Sequence, residues 1–239
     1  QAHDSMSGGA SSATTNDSLY GEAGDDILIA SAGDNTLDGG IGADTITTGS
    51  GSDTIVLRAG GGGSTLAEAD VITDFTDGSD TFGLSSGLQY GDLTIVQGTG
   101  ENVSNTLISQ GSEYLTVLQG ISASDVTYLD FASLNTGNQS FTGTSGDDIF
   151  IGAAGVDTVS TSTGDDIVLT SSGDDAITID GAGNKTIDGG AGTDSITISI
   201  ADHSSLTDFV VGYASETFTF TDTSSNVISL KNIESYTIG

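Results

Sequence analysis

A 239-residue chain with three Lys and Arg against 34 Asp and Glu carries a formal charge of −31. Such a surface repels phosphate backbones and anionic lipid heads, which argues against nucleic-acid and membrane roles, and it opposes compaction until cations neutralise it. The absence of Cys removes disulfides and thiolate metal sites, and no apolar stretch of about 20 residues is present to span a bilayer.

Residues 1–11 have neither the basic nor the apolar region of a signal peptide and are expected to be a disordered or linking N-terminus. From Ser12 a nine-residue frame begins. Ser12 to Tyr20 (SATTNDSLY) keeps only Asp17 and Leu19 of it; Gly21 to Ile29 (GEAGDDILI) carries Asp26 and Leu28; Ala30 to Asp38 (ASAGDNTLD) puts Asn35 in the acid's place. Gly39 to Thr47 (GGIGADTIT) fits the pattern G-G-x-G-x-D-x-U-x at every specified position, U being a large apolar residue, and Thr48 to Val56 (TGSGSDTIV) departs only at its first residue.

The chemistry of the unit follows from its residues. Glycines at positions one, two and four permit a turn that a β-carbon would forbid. Position six adds a carboxylate at the end of the turn. Position eight is the obligatory apolar site, and strand alternation points it inward while positions seven and nine point outward. Carbonyl and carboxylate oxygens, without nitrogen or sulfur, are hard ligands that select Ca²⁺ over transition metals.

The frame stops after Arg58 in Ala59-Gly60-Gly61-Gly62-Gly63. Residues 58–141 are expected to be a β-rich connecting segment of short antiparallel strands (DVITDF, DTFGL, LTIVQG, NTLISQ, YLTVLQGI, VTYLDF). The frame returns with Gly143 to Ile151, Gly152 to Ser160, Thr161 to Leu169 and Thr170 to Thr178. One extra residue, Ile179, is expected to bulge, and Asp180 to Asp188 and Gly189 to Thr197 follow. Residues 199–239 are read as a C-terminal β cap, with Phe218 to Phe220 and Val227 to Leu230 as hairpin partners.

These nonapeptides resemble the RTX (repeats-in-toxin, hemolysin-type) β-roll family. The resemblance implies an all-β fold: two short parallel β-rolls, a β-solenoid over 12–57 and 142–198, each followed by a capping antiparallel segment. It also implies several Ca²⁺ ions, each between turns 18 residues apart. Carried onto this chain, the side-chain ligands are Asp17, Asp26, Asn35, Asp44, Asp53, Asp148, Asp157, Asp166, Asp175 and Asp194. The backbone carbonyls are those of Gly24, Gly33, Gly40, Gly42, Gly51, Gly146, Gly155, Gly164, Gly173, Gly190 and Gly192. Asp26 pairs with Asp44, Asp148 with Asp166, Asp157 with Asp175, and Asp175 with Asp194 across the extra residue. Lys185 stands at position six, where its ammonium would repel an ion and neutralise Asp166, so no ion is expected there. Asp25, Asp34, Asp147, Asp165 and Asp174 at position five read as solvated charges. Asp70, Asp74 and Asp80 could hold one further ion at the end of the first roll or could cap it.

Outward positions Ile149, Ile151, Ile167 and Leu169, and Ile27 and Ile29 in the first block, form apolar faces that a soluble protein covers, either with its own β segments or with another molecule. No catalytic residues are expected: His3 and His203 make no H-E-x-x-H motif, and there is no G-x-S-x-G elbow or Cys nucleophile. The expectation is an extracellular or cell-surface, non-enzymatic calcium-binding module of a surface layer, filament or adhesin. Its partners would be other copies of itself or neighbouring surface proteins, and the resemblance implies export by type I secretion. The alternative is the accessory module of an exoenzyme or toxin whose catalytic domain lies outside the chain, with polysaccharide as a ligand.

Overall fold

The computed structural model describes residues 4–8, 16–199, 208–212, 217–221 and 225–238. The chain divides into two compact units, Gln1–Ser133 and Leu134–Gly239. The strands of the first are β1 (Ser5–Ser7), β2 (Ser18–Tyr20), β3 (Ile27–Ile29), β4 (Thr36–Asp38), β5 (Thr45–Thr47), β6 (Thr54–Arg58), β7 (Asp70–Ile72), β8 (Thr81–Ser85), β9 (Leu93–Gln97), β10 (Thr106–Gln110), β11 (Glu113–Leu118) and β12 (Phe131–Ser133). Those of the second are β13 (Ser140–Thr142), β14 (Ile149–Ile151), β15 (Thr158–Ser160), β16 (Asp166–Leu169), β17 (Ala176–Ile179), β18 (Lys185–Asp188), β19 (Ser195–Ile198), β20 (Asp208–Gly212), β21 (Thr217–Thr221), β22 (Val227–Lys231) and β23 (Ser235–Ile238).

Alternate strands go to alternate sheets, as two nonapeptides per coil require. In the first unit the orders are β1-β3-β5-β7-β11-β10-β9 and β12-β8-β6-β4-β2; in the second they are β13-β15-β17-β19-β23 and β14-β16-β18-β22-β21-β20. Repeat strands pair in parallel with the position-eight residues in register, Leu28 opposite Ile46 and Val159 opposite Ile177. These side chains stack between the sheets: Leu28, Leu37, Ile46 and Ile55 are fully buried, as are Val159, Val168, Ile177, Ile187 and Ile196 to within 1 %. Each such burial stabilises by about 1.5–3 kcal/mol, so the single apolar residue per unit makes the core.

The rolls reach further than the nonapeptide frame. Ser5–Ser7 pairs in parallel with β3, so residues expected as a linker supply a first strand. Beyond Arg58, β7 pairs in parallel with β5 and β8 with β6, and β12 adds to β8. Among the described strands of this unit, β10 is antiparallel to both β9 and β11. DVI and DTFGL are therefore further roll strands joined by insertions, because an acid followed by alternating apolar residues repeats the end of the nonapeptide without its glycines. Phe75 stacks on Phe82 with centroids 4.9 Å apart, and Phe82 meets Phe131 at a tilt with centroids 5.2 Å apart, so aromatic rings fill the core where the glycine turns end.

The second roll begins at β13, within the stretch expected to connect the blocks, and ends with β22 and β23 parallel to β18 and β19. The hairpin of β21 and β22 is present as expected, and β20 extends it. Ile179 does not bulge. It lengthens β17, pairs with Ile198 and is fully buried, so the coil grows by one inward residue.

Candidate metal centre

The position-six carboxylates form one row along each sheet edge. In the first unit the Asp26 amide donates to Asp44 Oδ1 (2.8 Å) and the Asp44 amide to Asp70 Oδ1 (3.0 Å). In the second, the amides of Gln139, Asp157 and Asp175 donate to Asp157, Asp175 and Asp194 Oδ1 at 2.8, 2.7 and 2.8 Å. Each bond spans one coil and leaves the second carboxylate oxygen facing the turn. Among the described residues, Oδ2 of Asp26, Asp44, Asp53, Asp157, Asp175 and Asp194 is buried with no hydrogen-bond partner. Leaving a charged acceptor unpaired in the interior is costly.

The glycines complete the cradle. A β-carbon on Gly42 would collide with the Gly24 carbonyl, and one on Gly173 with the Gly155 carbonyl, at φ of +140° and +141°. A β-carbon on Gly39 would strike Asp44 Oδ2. Carbonyl oxygens of one turn and the orphaned oxygen of an aspartate thus crowd the glycine Cα atoms of the adjacent turn. No group of three or more Asp, Glu, His or Cys converges among the described residues; the donors the turns bring together are carboxylate oxygens and backbone carbonyls. This donor set fits a hard divalent cation.

Electrostatics agree. Burial raises the Asp44, Asp53, Asp80 and Asp157 carboxyls above the ordinary range. Asp70 is pushed well above it, and Asp194 to about 6, first by burial and then by Asp175 and Glu234.

Two position-six residues carry N–H donors instead. The Lys185 side chain is fully buried; its ammonium lies 2.8 Å from Asp166 Oδ2 and donates to the carbonyls of Gly164 (2.5 Å) and Ala182 (3.1 Å). It contacts a carboxylate and two turn carbonyls, the oxygen set offered elsewhere to a cation. Asn35, expected as a weak ligand, accepts from the Asp17 amide, while its Nδ2 donates to the Gly33 carbonyl (2.9 Å) and Asp53 Oδ1 (2.8 Å). Asp148 pairs with Asp166 through its amide (3.0 Å), but its Oδ2 turns back to the Thr144 amide (2.6 Å).

Asp70, Asp74 and Asp80 do not converge. Asp70 stands in the Asp26–Asp44 row. Asp74 accepts from the amides of Thr48 (2.8 Å) and Gly49 (2.9 Å), and Asp80 from those of Asp53 (3.1 Å) and Thr76 (2.8 Å) on the other sheet. Asp74 and Asp80 cap turns and approach the same Thr48 hydroxyl (3.1 and 3.3 Å), while Asp70 meets the Asp44 amide. Position-five acids, read as solvated, form a second ladder in the opposite sense: Asp25, Asp34, Asp147 and Asp174 accept from the amides of Ala43, Ser52, Asp165 and Thr193. Sequence reading missed Asp4, whose amide donates to Asp26 Oδ1 (2.6 Å), and Glu234, whose Oε2 accepts from the Asp194 amide (2.6 Å). The available signal was an acid directly before an alternating strand. On the outer faces Ile27 and Ile29 remain 46 % and 43 % exposed, Ile149, Ile167 and Leu169 are half-buried, and Ile151 is buried.

Parallel coils with buried acid rows and glycine cradles define a metal-binding β-roll. Residues 14–37, 20–55, 29–64, 135–168, 142–177 and 179–197 match the family described as RTX calcium-binding nonapeptide repeat (4 copies). Both blocks are RTX calcium-binding nonapeptide repeats, a kind typical of secreted proteins. Among solved structures the chain is similar to the AlgE6R2 subunit of the Azotobacter vinelandii mannuronan C5-epimerase, with 23 % identity over 54 % of this chain and 91 % of that one, and a TM-score of 0.35. It is also similar to the AlgE6R3 subunit of the same epimerase, with 24 % identity over 54 % and 77 %, and a TM-score of 0.36. No curated protein sequence matches it. No helix among the described residues is long and apolar enough to cross a membrane.

Proposed function

We propose that this chain is a non-catalytic structural module that is exported unfolded, folds outside the cell on binding Ca²⁺, and then associates with further copies of itself. The observation that carries the reading is the set of buried, unpartnered Oδ2 atoms, which recurs in both units. Calcium, when bound, supplies the positive charge those oxygens lack. The chain's residues do the rest. Glycine turns bring carbonyls beside each aspartate, the Oδ1–amide bonds set the spacing of coils, and position-eight side chains close the core. In a low-calcium cytosol the rows repel and the chain stays open for type I export. At millimolar calcium, within the range extracellular modules use, binding free energy becomes folding free energy.

Self-association is supported by Ile27 and Ile29, two exposed isoleucines on an outward face where Thr45 and Thr47 are their parallel neighbours. The test is a Ca²⁺ titration followed by circular dichroism and light scattering, with Mg²⁺ as control. Calcium should raise β signal first and scattering after it, and Ile27→Thr with Ile29→Thr should keep the former and lose the latter. Unchanged β signal between chelator and calcium would refute the folding part; calcium-folded chain that never scatters would refute the association.

A further inference from the structure

Glu234 lies outside every nonapeptide, yet β23 seats it as if it were inside one. Ser195 pairs with Ser235 in parallel, so Glu234 occupies the position-six register of the coil after Asp194. The Asp194 amide donates to Glu234 Oε2 at 2.6 Å, as the Asp157 and Asp175 amides donate to the next acid of their row. Asp194 is fully buried and its Oδ2 has no partner.

Gly189 shows where that oxygen is aimed. A β-carbon there would collide with the Asn232 carbonyl and lie 2.6 Å from Asp194 Oδ2, so both oxygens crowd one Cα. Asn232 takes a left-handed φ of +52°, the region that Glu22 (+67°), Ser162 (+59°) and Ser171 (+75°) occupy in the repeat turns. The turn is held in place by Asp188, which accepts from Asn232 Nδ2 (2.7 Å) and pairs with the Lys231 ammonium (2.8 Å). That cation is engaged on Asp188, and among the described residues no ion pair reaches Asp194 or Glu234.

We propose that Glu234, Asp194 and the Asn232 carbonyl form a calcium site that no nonapeptide encodes, and that this ion locks β23 onto the end of the second roll. The donors are two carboxylates and a carbonyl, all hard oxygens, which suits Ca²⁺ and leaves transition metals without a preferred ligand. The proposal rests on the calcium-dependent reading above. Its consequence is that the C-terminal strand, which lacks the glycine repeat, still docks only when calcium is present.

The experiment is isothermal titration of the full chain with CaCl2, paired with hydrogen exchange of the β23 amides in calcium. Glu234→Gln preserves the side chain's shape and its acceptor for the Asp194 amide while removing the charge. The expected result is one calcium equivalent fewer than the unaltered chain and faster exchange confined to β23. Glu234→Asp should recover part of both. An equal number of equivalents with equal exchange would overturn the Glu234 site while leaving the repeats' calcium binding intact. An unaltered chain that takes up no calcium would overturn both readings, and a Glu234→Gln chain that unfolds throughout in calcium would overturn the local lock.

Discussion

Lys185 allows the cation requirement of a single coil to be tested inside the protein. Its ammonium is bonded to two turn carbonyls and ion-paired with Asp166, and neither side chain of the pair is more than 1 % exposed. Lys185→Met keeps the apolar stem and removes the charge, leaving Asp166 Oδ2 buried without its ion pair while Asp166 Oδ1 keeps the Asp148 amide and the Ala182 carbonyl keeps the Gly164 amide. Breaking a buried pair by removing one partner costs about 3–5 kcal/mol, which at a urea dependence of about 2 kcal/mol per molar lowers the midpoint of the second unit by roughly 2 M. Lys185→Asp should behave differently. It restores the repeat's acid, so the vacated space can take calcium, and at 100 times its dissociation constant the ion returns about 2.7 kcal/mol. Denaturant melts followed by circular dichroism, at rising fixed calcium concentrations, separate the two. The deficit of Lys185→Asp should shrink with calcium while that of Lys185→Met stays constant. A Lys185→Met chain as stable as the original, or a Lys185→Asp chain with no added calcium dependence, would refute the account of Lys185 as a tethered cation.

Two further outcomes follow from the same geometry. Gly42→Ala should abolish folding of the first unit in calcium, since the new β-carbon collides with the Gly24 carbonyl at a φ of +140°, whereas Gly60→Ala, at φ +80° with nothing within 4 Å, should cost only the left-handed penalty of about 1–2 kcal/mol; thermal melts of both variants compare them. In chelator, acidification should favour the fold: the carboxyls of Asp44, Asp53, Asp157 and Asp194 are raised in the folded state, so their contribution is full below the unfolded value of 3.8 and is lost as pH rises through the folded ones, about 6 for Asp194. β signal in chelator should therefore grow as pH falls from 7 towards 5, and a fall would contradict the assignment of these acids as costly to bury in charged form.

The periodic part of the fold was legible because one apolar position and one acid recur at constant spacing. Leu28, Ile46, Val159 and Ile177 could be placed in the core from the period, and Asp44 and Asp175 in their rows from the resemblance to the RTX family. The extensions were not legible, because insertions break the period without breaking the coil. Asp70 follows Asp44 by 26 residues and Glu234 follows Asp194 by 40, against 18 within the repeats. Strand direction was lost with the frame: Asp70–Ile72 looks like a hairpin strand until its partner β5 is known. Ile179 was misjudged since an added residue can lengthen a coil as readily as kink a strand, and its inward side chain decided the matter. The position-five ladder needed coordinates, because an exposed acid beside a buried one carries no mark of the amide it will meet.

The placement of the three cationic side chains bears on why a metal is required at all. Arg58 pairs with Asp38 and Lys231 with Asp188, each from a strand that follows the glycine turns back to the aspartate preceding a Gly-Gly pair. Lys185 pairs with Asp166 inside the roll. With three Lys and Arg in the whole chain, every lysine and arginine is thus committed to an aspartate outside the two fully acidic rows. The acids at Asp26, Asp44 and Asp70, and those at Asp157, Asp175, Asp194 and Glu234, have amides on one side and each other on the next. No ion pair among the described residues neutralises them, and screening by salt is weak for buried groups. Protons or divalent ions must do it, and at neutral pH the carbonyl-lined glycine turns favour the ion. The calcium dependence proposed above rests on this imbalance, from which the one coil that contains Lys185 is exempt.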